Sequence, residues 1–170
     1  MKQPISYEEA VDLLDVDHKD VKKMIIDYEA MCEEGAPAEQ KQELAAKICD
    51  ANTVHSEVEE EIFYPAFRAA IGDDGPMDEA EEEHAQAKDT IAKIRGMNAS
   101  DKGYDGTVKT LAKLIENHVL EEREQIFLQA RNAPLDLRGV VVLPYNRKHE
   151  LMAQSAAAPK KPKAKTKEAA

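Results

Sequence analysis

The chain has 170 residues, enough for one domain with a substantial core, and it is rich in charged residues (34%) and poor in aromatic ones (5%). Ala, Glu, Lys, Leu and Gln dominate, which favours an all-helical domain. The net charge of −11 should repel nucleic acid and anionic membranes. No stretch approaches the about 20 apolar residues that cross a bilayer, and the first residues lack the apolar run of a secretory signal, so we expect a cytoplasmic protein that does not bind membranes.

A short arm and a long helix are predicted at the start of the chain. The arm covers residues 7–14, and the helix after it turns His18 and the apolar residues that follow toward the core. The pattern allows the arm and the helix to be either continuous or separate. Gly35 and Pro37 should end this helix and begin the next, because glycine suits the position after a helix and proline suits its first turn.

Three more long helices are predicted, over residues 38–70, 77–95 and 104–131. Pro65 lies inside the first of these, and it should kink or loosen the last turns because it removes a backbone donor. Short connections join the helices, so neighbouring helices should run antiparallel. The sequence therefore predicts an up-down-up-down four-helix bundle.

The C-terminal part of the chain has a weaker pattern. Residues 137–143 are apolar and β-branched, and we expect them to pack on the end of the bundle, with a short helix over residues 147–152. The domain is therefore placed at residues 1–153. Residues 154–170 are rich in Ala, Pro and Lys and should form a disordered tail. The tail is basic, but the acidic domain argues against nucleic-acid binding.

A histidine and a glutamate occupy the inward face of the second long helix. His55 and Glu59 are four residues apart, which places them one above the other on a helix. A carboxylate in an apolar seam is costly unless a cation meets it. Steps of three and four residues continue the same stripe through Ile48, Asn52, Ile62 and Ala66.

A second His–Glu pair, His118 and Glu122, occurs in the last long helix, and His18 and His84 lie on the seams of the other two. His18 and His55 are equidistant from the first turn, and His84 and His118 are equidistant from the third, so each pair should face across its hairpin. The inward stripe of the last long helix is expected to contain Val108, Leu111, Ile115, His118, Glu122 and Gln125.

Four inward histidines and two inward glutamates suggest a carboxylate-bridged site for two metals. Imidazole and carboxylate without thiolate suit iron, manganese or zinc. Two histidines, two bridging carboxylates and an oxo or hydroxo bridge would leave one position open on each metal, which a closed zinc site would not need. We therefore predict two non-haem, oxo- or hydroxo-bridged iron ions, with the metal ligands His18, His55, Glu59, His84, His118 and Glu122.

These motifs resemble a known family. His18, the segment HSEVEEEIFYP that begins at His55, EEEH ending at His84 and HVLEEREQIF from His118 are similar to the hemerythrin-like HHE cation-binding domain over about residues 7–131. The resemblance implies a hemerythrin-like bundle. It also implies that His18 and His55 hold one iron, that His84 and His118 hold the other, and that Glu59 and Glu122 bridge them.

One position departs from the oxygen-carrying members of this family, which have a fifth histidine one turn after the one that matches His84. Lys88 occupies that position here. Glu81, one turn before His84, is either a substitute ligand or, more simply, a surface acid. With both irons open, the resemblance implies a protein that binds or senses O₂ or a related small ligand, NO or peroxide, rather than a simple oxygen carrier.

Several alternatives stay open. The first is a diiron enzyme that consumes peroxide or NO, or an iron donor in iron–sulfur centre repair. The second is a metal-free or zinc bundle with a structural role. Tyr28 and Tyr64 could line the site, although packing is their simpler role. Cys32 and Cys49 should be too far apart for a disulfide, at roughly 12 Å. The oligomeric state is not determined by these patterns, which are compatible with a monomer.

Overall fold

The computed structural model describes residues 7–133 and 142–157, and the side chains of residues 11–133 and 146–157. Within these ranges the chain is helical and contains no strand. Seven α-helices are present there: α1 (Tyr7–Glu33), α2 (Ala38–Val58), α3 (Tyr64–Ile71), α4 (Gly75–Gly96), α5 (Tyr104–Glu121), α6 (Leu128–Arg131) and α7 (Val142–Ala157). Two π-helical segments connect them: π1 (Glu59–Phe63) joins α2 to α3, and π2 (Glu122–Phe127) joins α5 to α6.

The helices form the predicted up-down-up-down bundle. The N-terminal arm and the first long helix are one continuous helix, α1. Gly35 and Gly72 adopt positive φ angles, 66° and 72°, at the ends of α1 and α3, where glycine is favoured because it lacks a Cβ. α1 packs on α2 and α4 on α5, and contacts between α2 and α4 and between α1 and α5 complete the bundle. The predicted fold class is confirmed.

The apolar core is divided into two clusters. One cluster surrounds Phe63, Phe67 and Met77 at the end of the bundle where α3 and α6 lie. The other surrounds Ile48 and Leu111 at the opposite end. A layer of buried histidines and glutamates is enclosed in the same bundle. The bundle therefore encloses polar side chains whose burial costs free energy unless hydrogen bonds or opposite charges compensate for it.

The π segments displace the buried stripe. A π turn contains one residue more than an α turn, so the residues that follow it are rotated by about 100°. Gln125, predicted to face inward, is exposed, and Ile62 and Ala66 are only half-buried. The buried residues after each glutamate are instead Phe63, Tyr64 and Phe67 in the first helix and Ile126 and Phe127 in the second.

The expected irregularity near Pro65 is present as π1, which ends just before the proline. Pro65 then occupies the first turn of α3, where its missing N–H is tolerated. The corresponding position after π2 is Leu128, and this segment is π-helical without a proline. The proline is therefore not required for a π turn at this level of the bundle.

The last helix, α7, packs on α2. Leu151 is buried against the cluster around Phe63, and Arg147 forms a salt bridge of 2.8 Å with Glu61. The predicted short helix is real but longer than expected, and it continues to Ala157. This helix therefore extends into the first four residues of the predicted tail, 154–157. The rest of the predicted tail, and the packing of the side chains of residues 137–143, fall outside the described residues.

Candidate metal centre

The structure brings all six predicted ligands into one buried layer. Glu59 is 0% exposed and Glu122 is 1% exposed, and the four histidines are buried with them. The His18 and His55 Nε2 atoms lie 2.8 Å apart, and those of His84 and His118 lie 3.1 Å apart. Each histidine therefore faces its counterpart across a hairpin, as the symmetry about the turns predicts.

The Glu59 carboxylate lies between the two histidine pairs. Its Oε1 atom is 2.8 Å from His55 Nε2, and its Oε2 atom is 3.2 Å from His84 Nε2. Glu59 thus presents one oxygen to each pair, which is the arrangement of a bridging ligand. Glu122 is placed differently, because one atom, Oε2, lies 3.2 Å from His18 Nε2 and 3.8 Å from His118 Nε2.

Carboxylates behind the second histidine pair orient the rings. Glu60 accepts a hydrogen bond of 2.9 Å from His84 Nδ1, and Glu83 accepts one of 2.8 Å from His118 Nδ1. Because a carboxylate only accepts, each Nδ1 must carry the hydrogen. In a neutral ring this leaves Nε2 with a lone pair that points into the centre, as in metal-ligating histidines.

The first pair has looser support. Asp17 lies 3.5 Å from His55 Nδ1, and Asp15 lies 3.9 Å from His18 Nδ1, beyond hydrogen-bond distance. His18 Nδ1 accordingly has no hydrogen-bond partner within the described residues. The sequence did not predict that Asp15, Asp17, Glu60 and Glu83 lie behind the histidines. Asp17 and Glu83 each directly precede a histidine in the sequence, but each lies against the histidine of the facing helix. The pairing of helices in a hairpin is the signal that could have identified them.

The donor set fits a cation. Four Nε2 lone pairs and two carboxylates converge, and Glu59 Oε1 and Glu122 Oε2 are buried without a hydrogen-bond donor. Acceptors cannot satisfy one another, so protons or a metal must separate them. Two overlapping groups could hold an ion: His18, His55, Glu59 and Glu122, and Glu59, His84 and His118.

When no cation is bound, protons on the histidines separate the converging acceptor atoms. Burial alone would lower the pKa of His55, but the charge of Glu59 and the hydrogen bond that His55 donates to Asp17 outweigh it and raise the pKa to about 10. Burial would raise the pKa of Glu59, but His55 and the other histidines hold it well below its usual range. Because metal ligands must be deprotonated, a cation that binds here has to displace these protons.

Tyr64, for which packing is the simpler predicted role, is part of this layer. Its hydroxyl lies 3.3 Å from both Glu59 Oε2 and Glu122 Oε1, and its ring stacks on His84 at 5.6 Å. Burial and the two carboxylates raise its pKa well above the usual value, so the hydroxyl stays protonated and donates. Phe127 occupies the equivalent place on His18, at 6.1 Å, without a hydroxyl.

The other residues considered from the sequence lie outside the layer. Lys88 is 43% exposed and lies 2.8 Å from both oxygens of Glu60, behind His84. Glu81 pairs with Arg68 at 3.1 Å and is not placed as a substitute ligand. The Tyr28 hydroxyl donates to Asp105 at 2.7 Å, and both cysteines are free.

The fold and this layer define a helical-bundle protein with a site suited to metal cations. Residues 9–130 match the sequence profile of the hemerythrin HHE cation binding domain, and the chain belongs to this family. The family resemblance seen in the sequence is therefore confirmed. No helix in the described ranges is long and apolar enough to cross a membrane.

Two further proteins are similar to this chain. The crystal structure of a hemerythrin HHE cation binding domain-containing protein from Mycobacterium kansasii shares the fold, with a TM-score of 0.67 and 17% identity over 87% of this chain and 88% of that one. A protein of Nostoc sp. (strain PCC 7120) named DNA nickase is 28% identical over 127 residues. That match covers 75% of this chain but 36% of the relative, so the chain spans about a third of its length.

Proposed function

We propose that this protein holds two non-haem irons and binds or senses O₂ or a related small ligand, NO or peroxide. The observation that supports it best is the buried Glu59 carboxylate, which presents one oxygen to each of two histidine pairs. His18 and His55 would hold one iron and His84 and His118 the other. Glu59 would bridge them, with Glu122 as the second bridge.

The donor chemistry supports iron over zinc. Nitrogen and oxygen donors without thiolate suit iron, and bound iron would supply coordination positions that the protein leaves open. Lys88 is held by Glu60 outside the layer, so no fifth histidine closes the second position. The buried carboxylate oxygens that lack donors argue against a metal-free structural bundle.

Metal analysis together with optical spectroscopy tests this proposal. The protein reconstituted with ferrous iron should contain about two irons per chain, because two ligand groups are present. Exposure to O₂ or NO should change its charge-transfer absorption. As a control, His149→Ala removes an exposed histidine outside the layer and should leave both results unchanged. Protein that folds equally well without iron and takes up none would contradict the proposal.

A second candidate is an enzyme that consumes peroxide or NO, and Tyr64 is the observation that favours it. A protonated hydroxyl beside both carboxylates can deliver a hydrogen bond or a proton to a ligand at the centre. Catalytic turnover of peroxide or NO by the iron-loaded protein would support the enzyme, and stoichiometric, reversible binding would support the sensor. The net charge of −11 disfavours DNA binding and therefore argues against the activity named for the Nostoc relative.

A further inference from the structure

A narrow cleft of about 10 Å³ lies between α4 and the junction of α5 with π2. Among the described residues, the charged ones that line it are glutamates: Glu79 and Glu83 from α4, Glu121 from the end of α5 and Glu122 from the start of π2. Glu79 and Glu83 are four residues apart and therefore share one face of α4. We call this feature the acidic cleft.

The glutamates of the acidic cleft differ in burial. Glu79 is exposed, Glu83 and Glu121 are half-buried, and Glu122 is buried. Glu122 Oε2, the atom 3.2 Å from His18 Nε2, has no hydrogen-bond partner within the described residues. An unpartnered, buried carboxylate beside other carboxylates is suited to receive a cation.

The carboxylates behind the other three histidines are paired with basic side chains. Asp17 pairs with Lys148, Glu60 pairs with Lys88, and Asp15 pairs with both Arg123 and Lys19. These lysines and arginines would repel an approaching dication. Among the described residues, Glu83 instead bonds to His118, and the other charged groups that line its cleft are carboxylates. The electrostatic potential therefore favours cations on this side of the site.

We infer that divalent cations reach the buried centre through the acidic cleft. Glu79 and Glu121 bind the cation transiently at the mouth, and Glu122 receives it at the inner end. The inference rests on the proposed function, because it requires that the centre hold a cation. It adds transient binding at the cleft mouth before the cation reaches the buried ligands.

The rate of iron uptake tests the route. Metal-free full-length protein is mixed with Fe²⁺ without oxygen, a strong chelator stops uptake at set times, and retained iron is measured. Glu79→Gln/Glu121→Gln should load about tenfold more slowly at low salt, because steering by charged clefts changes association rates by about 10- to 10³-fold. The final iron content should equal that of the wild type, since neither residue belongs to the two buried groups that could hold an ion. Glu79→Lys, a surface change that places a cation at the mouth, should also slow uptake.

A matched control separates the route from net charge. Glu29→Gln/Glu43→Gln removes the same charge from exposed positions near the first turn of the bundle and should load at the wild-type rate. The difference between the two double variants should shrink at about 1 M salt, where the Debye length is about 3 Å.

The outcomes separate this inference from the proposed function. Wild-type uptake of about two irons, with equal rates for the cleft variants and the wild type, would overturn the route and leave the two-iron centre standing. Equal slowing by the cleft and control variants would also overturn it. Failure of the wild type to take up iron would overturn the proposed function and the route together.

Discussion

The α1–α2 hairpin supplies His18, His55 and Glu59 to the centre, and the α4–α5 hairpin supplies His84, His118 and Glu122 in the same order. In each half a π segment begins at the glutamate. An aromatic ring five residues after each glutamate stacks on the first histidine of the opposite half. The two halves therefore place equivalent ligands by equivalent local structure.

Their surroundings differ. Tyr64 brings a hydroxyl to both carboxylates, whereas Phe127 brings none. The residue after the first glutamate, Glu60, accepts from His84, whereas its counterpart Arg123 pairs with Asp15. The two halves of the layer are therefore inequivalent despite their matching histidines and glutamates, because neighbouring side chains set the hydrogen bonding and charge around each half.

The largest effect is expected from the two glutamates. Glu59→Ala would remove the carboxylate nearest to the Nε2 atoms of His84 and His118, so iron content should fall to about one per chain or less. Glu122→Ala would keep Glu59 between both pairs and should retain more iron. Metal analysis after reconstitution measures this, with circular dichroism to confirm folding. Equal iron loss in the two variants would contradict the inequivalence of the carboxylates.

An intermediate effect is expected from the acids behind the histidines. Loss of such a partner costs about 10- to 100-fold in metal affinity. Glu83→Gln should lie near the upper end and Asp17→Asn near the lower end, because the bond from His118 is 2.8 Å and the one from His55 is 3.5 Å. Competition with a chelator of known affinity gives both values. If Asp17→Asn lost more metal affinity than Glu83→Gln, hydrogen-bond length would not explain the difference between the two halves.

The smallest effect is expected from the tyrosine hydroxyl. Tyr64→Phe removes the hydroxyl that donates a hydrogen bond to the carboxylates. A hydrogen bond to a charged group contributes about 1.5 kcal/mol. If the hydroxyl also contacts bound NO or peroxide, the variant should bind that ligand about tenfold more weakly. Ligand titration followed by absorption measures it. Tyr28→Phe is the matched control, because it removes a buried hydroxyl that donates to Asp105, outside the layer. A shift of equal size in both variants would assign the effect to general destabilisation.

Helical periodicity correctly predicted which residues face the core in each helix, up to Glu59 in the second and Glu122 in the last. The inner residues His18, Val21, Ile25 and Tyr28 are all buried, and so are the predicted ligands of the other three helices. This success has a local cause, because an α-helix repeats every 3.6 residues and an apolar stripe marks the buried side. The same rule failed at Gln125 and Ile62, because a π turn breaks the repeat and nothing in the spacing marks it.

The sequence by itself determined the helices, the antiparallel order and the residues that converge, since these depend on spacing within a helix and on short turns. Only the tertiary structure decided how the centre is supported. Asp17 and Glu83 act on histidines of neighbouring helices, and Lys148 reaches Asp17 from a helix more than a hundred residues away. The roles of such residues depend on distances between helices, and a pattern along one chain segment contains no information about those distances.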